Sequence, residues 1–175
     1  MRRRPFPQHL ALVVSATAFC AAALAAHAVE VTPVKNDHYT KECGSCHFAF
    51  QPGLLPARSW EKLFSQLDQH FGESLTLKPE MLAELKAYTV ENAADHSSAE
   101  LSKLVLNRVQ DAQTPTRIST LPYMRKHHSA IMMVKNIKTI ANCSDCHPRG
   151  PQGEFDSGDF VTRDSGSGMR YNNMD

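Results

Sequence analysis

Two short stretches constrain this chain more than any other feature: Cys43-Gly44-Ser45-Cys46-His47 and Cys143-Ser144-Asp145-Cys146-His147. Each is a C-x-x-C-H segment, the spacing that attaches a c-type haem. The spacing follows from the chemistry. Two thiols three positions apart reach the two vinyl groups of one porphyrin and form thioethers. The histidine directly after the second cysteine then lies under the iron as its proximal ligand. Paired C-x-x-C elements also build zinc sites, and cysteine pairs also form disulfides, but neither needs a histidine immediately after both pairs. Two complete copies point to two covalently attached haems, tethered by Cys43, Cys46, Cys143 and Cys146, with His47 and His147 as proximal ligands.

The N-terminus speaks to the compartment. Arg2, Arg3 and Arg4 form a positive start, an apolar run extends from Leu10 to about Ala26, and Ala26-His27-Ala28 is an A-x-A cleavage signal. Residues 1–28 are therefore expected to be a cleaved signal peptide, and Cys20 leaves with it. The protein is expected in the periplasm, with all four remaining cysteines in the haem motifs. Charge excludes one function class. The full chain has 19 basic and 18 acidic residues, and the leader holds three arginines and no acids, so residues 29–175 carry 16 against 18, a net −2. That balance gives no electrostatic footprint for nucleic acid. Nothing in residues 29–175 reads as a membrane span.

Along the chain, residues 29–42 are a polar lead-in without a clear period, containing His38, which reads as a surface residue. Residues 48–56, with Pro52, Gly53 and Pro56, form a loop whose Leu54 and Leu55 suit a haem edge. A helix is expected from Ser59 as N-cap. On it Trp60, Leu63, Phe64, Leu67, His70 and Phe71 recur at helical spacing. A histidine continuing an apolar stripe is usually a packed core residue, but a haem iron here needs a sixth ligand. His70 is the first candidate for haem 1. Pro79 opens a second helix with Met81, Leu82, Leu85 and Tyr88 on one face. Met81 competes as a ligand but reads better as packing. Ser97 and Glu100 suggest a capping box for a third helix with Leu101, Leu104, Val105 and Val109 as its stripe, and His96 reads as an exposed turn residue.

Residues 111–122 read as an extended connection broken by Pro115 and Pro122. A further helix from Pro122 contains Tyr123, Met124, His127, His128, Ile131 and Met132. Neighbouring helical residues point roughly 100° apart, so only one of His127 and His128 faces a given iron, and periodicity leaves both open. After His147 the tail turns to Gly, Pro, Ser, Asp and Asn, with Phe155 and Phe160 as covers for the second haem. The expected fold is mainly α: two small haem-binding lobes, 29–105 and 106–150, and an irregular tail, 151–175. Each haem supplies apolar core that a small lobe lacks. In one half the distal candidate follows the haem motif and in the other it precedes it, so the lobes are not simple repeats.

Beyond these motifs, the sequence resembles the dihaem cytochrome c family of bacterial periplasms across nearly the whole exported chain. The likeness rests on residues 43–47 with Pro52-Gly53-Leu54-Leu55-Pro56-Ala57-Arg58-Ser59-Trp60, on His70-Phe71-Gly72-Glu73 and on Asn92-Ala93-Ala94-Asp95. It continues through Thr114-Pro115, Arg117-Ile118, the stretch from Arg125 to Ile131 and Asn142 to His147. The resemblance implies an N-terminal lobe similar to class I cytochrome c, a differently folded C-terminal lobe and bis-histidine ligation of both haems. It places the distal ligands on His70 and His128, the latter from the frame His128-Ser129-Ala130-Ile131. It also implies redox partners: a small mono-haem oxygen-binding cytochrome c, or a membrane cytochrome b.

Two closed, six-coordinate haems leave no position for substrate, so the expected function is electron transfer without catalysis. The potential should lie below that of His/Met cytochromes, since methionine ligation raises it. The alternative is a dihaem enzyme or gas-binding protein, peroxidase-like, with one open haem. Arg58 and Arg117 are candidates for the haem propionates.

Overall fold

Asn36 starts the first helix. Its side chain accepts the Tyr39 N–H at 2.8 Å, so the polar lead-in becomes α1, Asp37–Cys43, which sequence periodicity did not disclose. The helix stops at Gly44, whose N–H donates to the Thr40 carbonyl, so close that a side chain here would strike that oxygen. Cys43 is thus the last helical residue, and the first haem motif hangs from a helix end. The structure, a computed structural model, describes residues 29–134 and 139–155; residues 1–28, expected as a leader, and Phe160, Met169 and Met174 lie outside them.

The second helix, α2, spans Ala57–Phe64 with Pro56 at its N-cap, not Ser59. Proline's fixed φ suits a helix start, and the orphan Ala57 N–H is taken from a distance by the Asp95 carboxylate at 2.9 Å. Ser59 is instead fully buried inside the helix. The expected stripe running on to Phe71 also breaks. Ser65 caps α2, its hydroxyl donating to Lys62 O at 2.8 Å, and Leu67–Gln69 forms a separate 3-10 turn. His70 therefore sits outside the helix that was expected to carry it.

The third helix, α3, covers Pro79–Glu91 with proline in its first turn, as its sequence predicts. Helix α4, Glu100–Leu106, is capped at Ala99 without a side-chain bond. The Ser97–Glu100 capping box does not form, because Ser97 accepts the Ala99 N–H one step too early. Its apolar stripe holds at Leu101 and Val105, both buried, and Val109 follows beyond the helix end. A long extended connection with a 3-10 turn at Ile118–Thr120 leads to α5, Pro122–Val134.

Helix α2 packs on α3, and α4 leans on α5. Beneath them, Tyr39, Leu54, Leu55, Trp60, Leu85, Val105 and Leu121 belong to one buried cluster. Leu54 and Leu55 are 1% and 0% exposed, and burying each such leucine stabilises by about 1.5–3 kcal/mol. Tyr39 lies edge-on to Trp60 at 6.4 Å and its hydroxyl donates to the Phe50 carbonyl at 2.7 Å. Burial, with Cys43 and Tyr88 nearby, holds that phenol well above its ordinary pKa. Trp60 Nε1–H donates to Pro52 O at 2.8 Å, so the loop after the first motif is fastened to α2 by a buried bond.

The two ends of the described chain meet. Val31 N–H donates to Gly153 O at 2.9 Å and Phe155 N–H to Val29 O at 3.1 Å. Gly153 has φ +85 and lies against the Val31 carbonyl, a left-handed position that suits glycine. Among the described residues there is no β-strand, only isolated bridges, and the fold is mainly α as expected. No helix among them is long and apolar enough to cross a membrane.

Candidate haem sites

In the first motif, Cys43 is half-buried at the end of α1, and Cys46 is exposed. Burial, with Glu42 adding, pushes the Cys43 thiol up to about 11. His47 Nδ1–H donates to the carbonyl of the next residue, Phe48, at 2.8 Å, which leaves Nε2 with its lone pair for a metal. The ring of His70 faces His47: the centroids are 6.1 Å apart and the planes 20° from parallel. His70 arrives through a tight turn in which Phe71 has φ +54 and Gly72 φ +105, closed by the Glu73 N–H to His70 O at 3.0 Å. Burial, with His47 and Arg117 adding, holds the His70 pKa below its ordinary value. The neutral form is the one that ligates iron.

In the second motif, Cys143 opens a 3-10 turn, and the His147 N–H donates back to Cys143 O at 2.8 Å. Burial pushes the Cys143 thiol up to about 12, although its backbone hydrogen bond pulls the other way. The ring of His128 faces His147 with centroids 6.1 Å apart and planes at 78°. His128 Nδ1–H donates to Met124 O, one turn back in α5, at 2.8 Å. The geometry separates the doubled histidine. His127 is exposed and lies against Tyr123 at 4.4 Å. Its pKa is lowered by burial, Lys126, His128 and Arg108, so pKa direction alone does not tell it from a ligand. Phe155 stacks edge-on beside His147 at 5.5 Å, where a cover for the second haem was expected.

The remaining histidines are engaged elsewhere. His38 is bound to Glu84 at 2.9 Å on the surface, and His96 Nδ1–H donates to Val90 O at 2.9 Å. Met81 packs against the apolar cluster. None of the four described cysteines is in a disulfide. No group of three or more metal-binding side chains converges among the described residues.

Two facing imidazoles on one iron need a metal–nitrogen distance of about 2 Å each. Adding the half-width of each ring, centroids fall about 6 Å apart, and both pairs meet that test. Four unbridged cysteines and two such imidazole pairs fit two c-type haems.

What the sequence did not disclose is how closely the motifs are lashed together. Phe48 N–H, directly after His47, donates to Asn142 Oδ1 at 3.1 Å and to Ala141 O at 3.3 Å, directly before Cys143. Gln51, 0% exposed, donates from Nε2 to Gly150 O at 2.6 Å. An open cleft of about 550 Å³ between the motifs is lined by Cys46, His47 and Phe48 from one and by Asn142, Ser144 and Asp145 from the other. Asn142 and Gln51 bond to partners far along the chain, and no local pattern marks such pairs. Arg58, a propionate candidate, instead donates to the carbonyls of Gln113 and Gln110 at 2.8 and 3.2 Å. Arg117 lies with its guanidinium carbon 4.0 Å from the Phe71 ring centroid.

Residues 39–155 match the family of dihaem cytochromes c. Solved structures are similar as well. A dihaem cytochrome c from Rhodobacter sphaeroides is 34% identical with a TM-score of 0.63, over 71% of this chain and 100% of that one. A second structure, of DHC purified from the same organism, is 33% identical with a TM-score of 0.57, over 70% and 99%. A dihaem cytochrome c from Shewanella baltica OS155 is 28% identical with a TM-score of 0.55, over 71% and 90%. No curated protein matches the chain. With its two C-x-x-C-H segments and two facing histidine pairs, the chain belongs to the dihaem cytochrome c family and carries two covalently bound c-type haems.

Proposed function

We propose that this protein is a periplasmic electron shuttle of low potential, with both haems ligated by histidine pairs, His47 with His70 and His147 with His128, and with no catalytic role. One observation carries the reading: each proximal imidazole has a second imidazole facing it at 6.1 Å, the spacing of two ligands on one iron. Bound haem supplies a one-electron couple, and the residues around it set the terms. The carbonyls of Phe48 and Met124 hold the His47 and His128 rings by their Nδ1–H groups, which fixes their orientation and raises their basicity as ligands. Histidine on both faces, in place of the methionine that raises potential, supports a low value. The bonds from Phe48 to Asn142 and from Gln51 to Gly150 keep the motifs adjacent, which supports internal transfer.

Residues 1–28 act as a cleaved export leader in this reading, consistent with the need to present thiols to haem outside the cytoplasm. The partners are redox proteins, either a small mono-haem oxygen-binding cytochrome c or a membrane cytochrome b.

The deciding experiment is the optical spectrum of the purified, dithionite-reduced protein before and immediately after carbon monoxide. Closed irons leave the Soret band unchanged on mixing. An immediate shift worth one haem means an open site and moves the assignment to a gas-binding or peroxidase-like protein.

A further inference from the structure

The two distal histidines are held by different means. His128 sits within α5 with its Nδ1–H bonded to Met124 O at 2.8 Å. His70 lies in a turn, and its Nδ1 is buried without a hydrogen-bond partner among the described residues. The residue after it, Phe71, holds φ +54, a left-handed conformation unfavourable for a bulky side chain, and is 45% exposed. Burial of Phe71 therefore does not hold this turn, whose backbone is closed by Glu73 N–H to His70 O at 3.0 Å and Leu75 N–H to Leu67 O at 2.9 Å.

What lies on it is Arg117. Its guanidinium carbon is 4.0 Å from the centre of the Phe71 ring, and that ring is 4.8 Å from His70 at 62°. Arg117 is itself anchored, because the next residue, Ile118, is 7% exposed in the apolar cluster. The contacts run in series from the core through Ile118, Arg117 and Phe71 to His70.

We propose that Arg117 is the positioning residue that holds His70 in place, and that site 1, not site 2, is the haem site that yields to a small diatomic ligand when this clasp is released. This inference rests on the bis-histidine reading above. In the exchange, His70 departs as a neutral imidazole and one neutral ligand takes its position, with no electron or proton transferred. An exposed cation–π contact changes an equilibrium roughly two- to five-fold. That is small beside a metal–ligand bond, but it appears directly in how often His70 leaves.

The test uses the full-length holoprotein, reduced with dithionite and mixed with excess carbon monoxide, with the slow Soret shift followed over time. H70A defines a fully open site 1. R117A is expected to take up ligand at one haem roughly two- to five-fold faster than the parent, with R117K closer to the parent because it keeps a cation over the ring. Phe71→Asn removes the ring but tolerates the left-handed backbone, and should open site 1 like R117A; it decides alone if R117A does not assemble. In separate oxidised samples, the low-spin ferric signal of the second haem should stay unchanged in all of these. Unaltered rates in both R117A and Phe71→Asn would overturn the proposal, as would R117K behaving like R117A or the new uptake arising at site 2. A parent protein that binds carbon monoxide as fast as H70A would instead sink the bis-histidine reading, a distinguishable result.

Discussion

Site 1 and site 2 reach the same end by different routes. At site 1 the facing histidine, His70, follows its motif in the chain, arrives on a turn outside any helix, and meets His47 with nearly parallel rings, 20° apart. At site 2 it precedes its motif, rides in a helix, and faces His147 at 78°. A helix fixes a ring through its own ladder, here with the Met124 carbonyl as the stop. The turn is closed by its own backbone bond from Glu73 N–H to His70 O, but it gives the His70 ring no carbonyl stop of that kind. The difference teaches that equal spacing does not mean equal hold.

The largest expected effect comes from removing the rings themselves. H128A should convert one haem, and H70A the other, to a five-coordinate, high-spin, carbon monoxide-binding form, while H127A leaves both low-spin. A high-spin haem in H127A, read from the optical spectrum, would break the assignment at site 2.

Next comes the support beneath site 1. Replacing Trp60 with alanine should destabilise by about 3–5 kcal/mol, since it empties the space beside Tyr39 and frees the Pro52 carbonyl. Denaturant unfolding of the holoprotein measures it. Tyr39→Phe leaves the Phe50 carbonyl without its donor and should cost about 1–3 kcal/mol. A value near zero would mean that water replaces the hydroxyl.

The unaltered protein offers a sharper comparison. Parallel imidazoles push electron density into the same iron orbital and split the pair that holds the ferric hole; perpendicular ones share it and leave the pair nearly equal. Electron paramagnetic resonance of the oxidised protein should therefore show two distinct low-spin signals, with the more anisotropic one lost in H128A. Two identical signals would mean the ring planes do not differ.

The smallest effect lies away from both sites. Hydrogen bonds from His38 and Asn36 hold the exposed Glu84 carboxyl below its ordinary pKa. A lowered folded-state value contributes stability above the unfolded value, and it is lost as pH falls through the folded one. The parent's melting temperature should thus fall slightly more than that of Glu84→Gln on acidification through and below the ordinary carboxylate range. Solvent screening keeps the difference small.

Much of this was legible from the chain. Helix α3 follows from Pro79 and the spacing of Leu82, Leu85 and Tyr88, and the stripe of α4 from Leu101 and Val105. Other elements were hidden for identifiable reasons. Helix α1 has only Tyr39 buried along its length, so no apolar period announces it; its signal was the Asn36 cap. The stripe from Trp60 to Phe71 reads as one helix because the helical spacing of its apolar residues continues in the sequence past Ser65, where the backbone leaves helical geometry at Gln66. Helix α2 starts at Ala57 because Asp95, remote in sequence, satisfies its first N–H.

The sequence by itself determined the covalent chemistry. Thioether attachment depends on two cysteines within five consecutive residues, and local spacing writes it completely. Only the tertiary structure decided which second imidazole faces each first one. His127 and His128 are equal in composition and adjacent in the chain, and what separates them is the direction in which α5 presents them to His147. The same holds for the bond from Phe48 to Asn142, because packing, not sequence proximity, brings their atoms within reach.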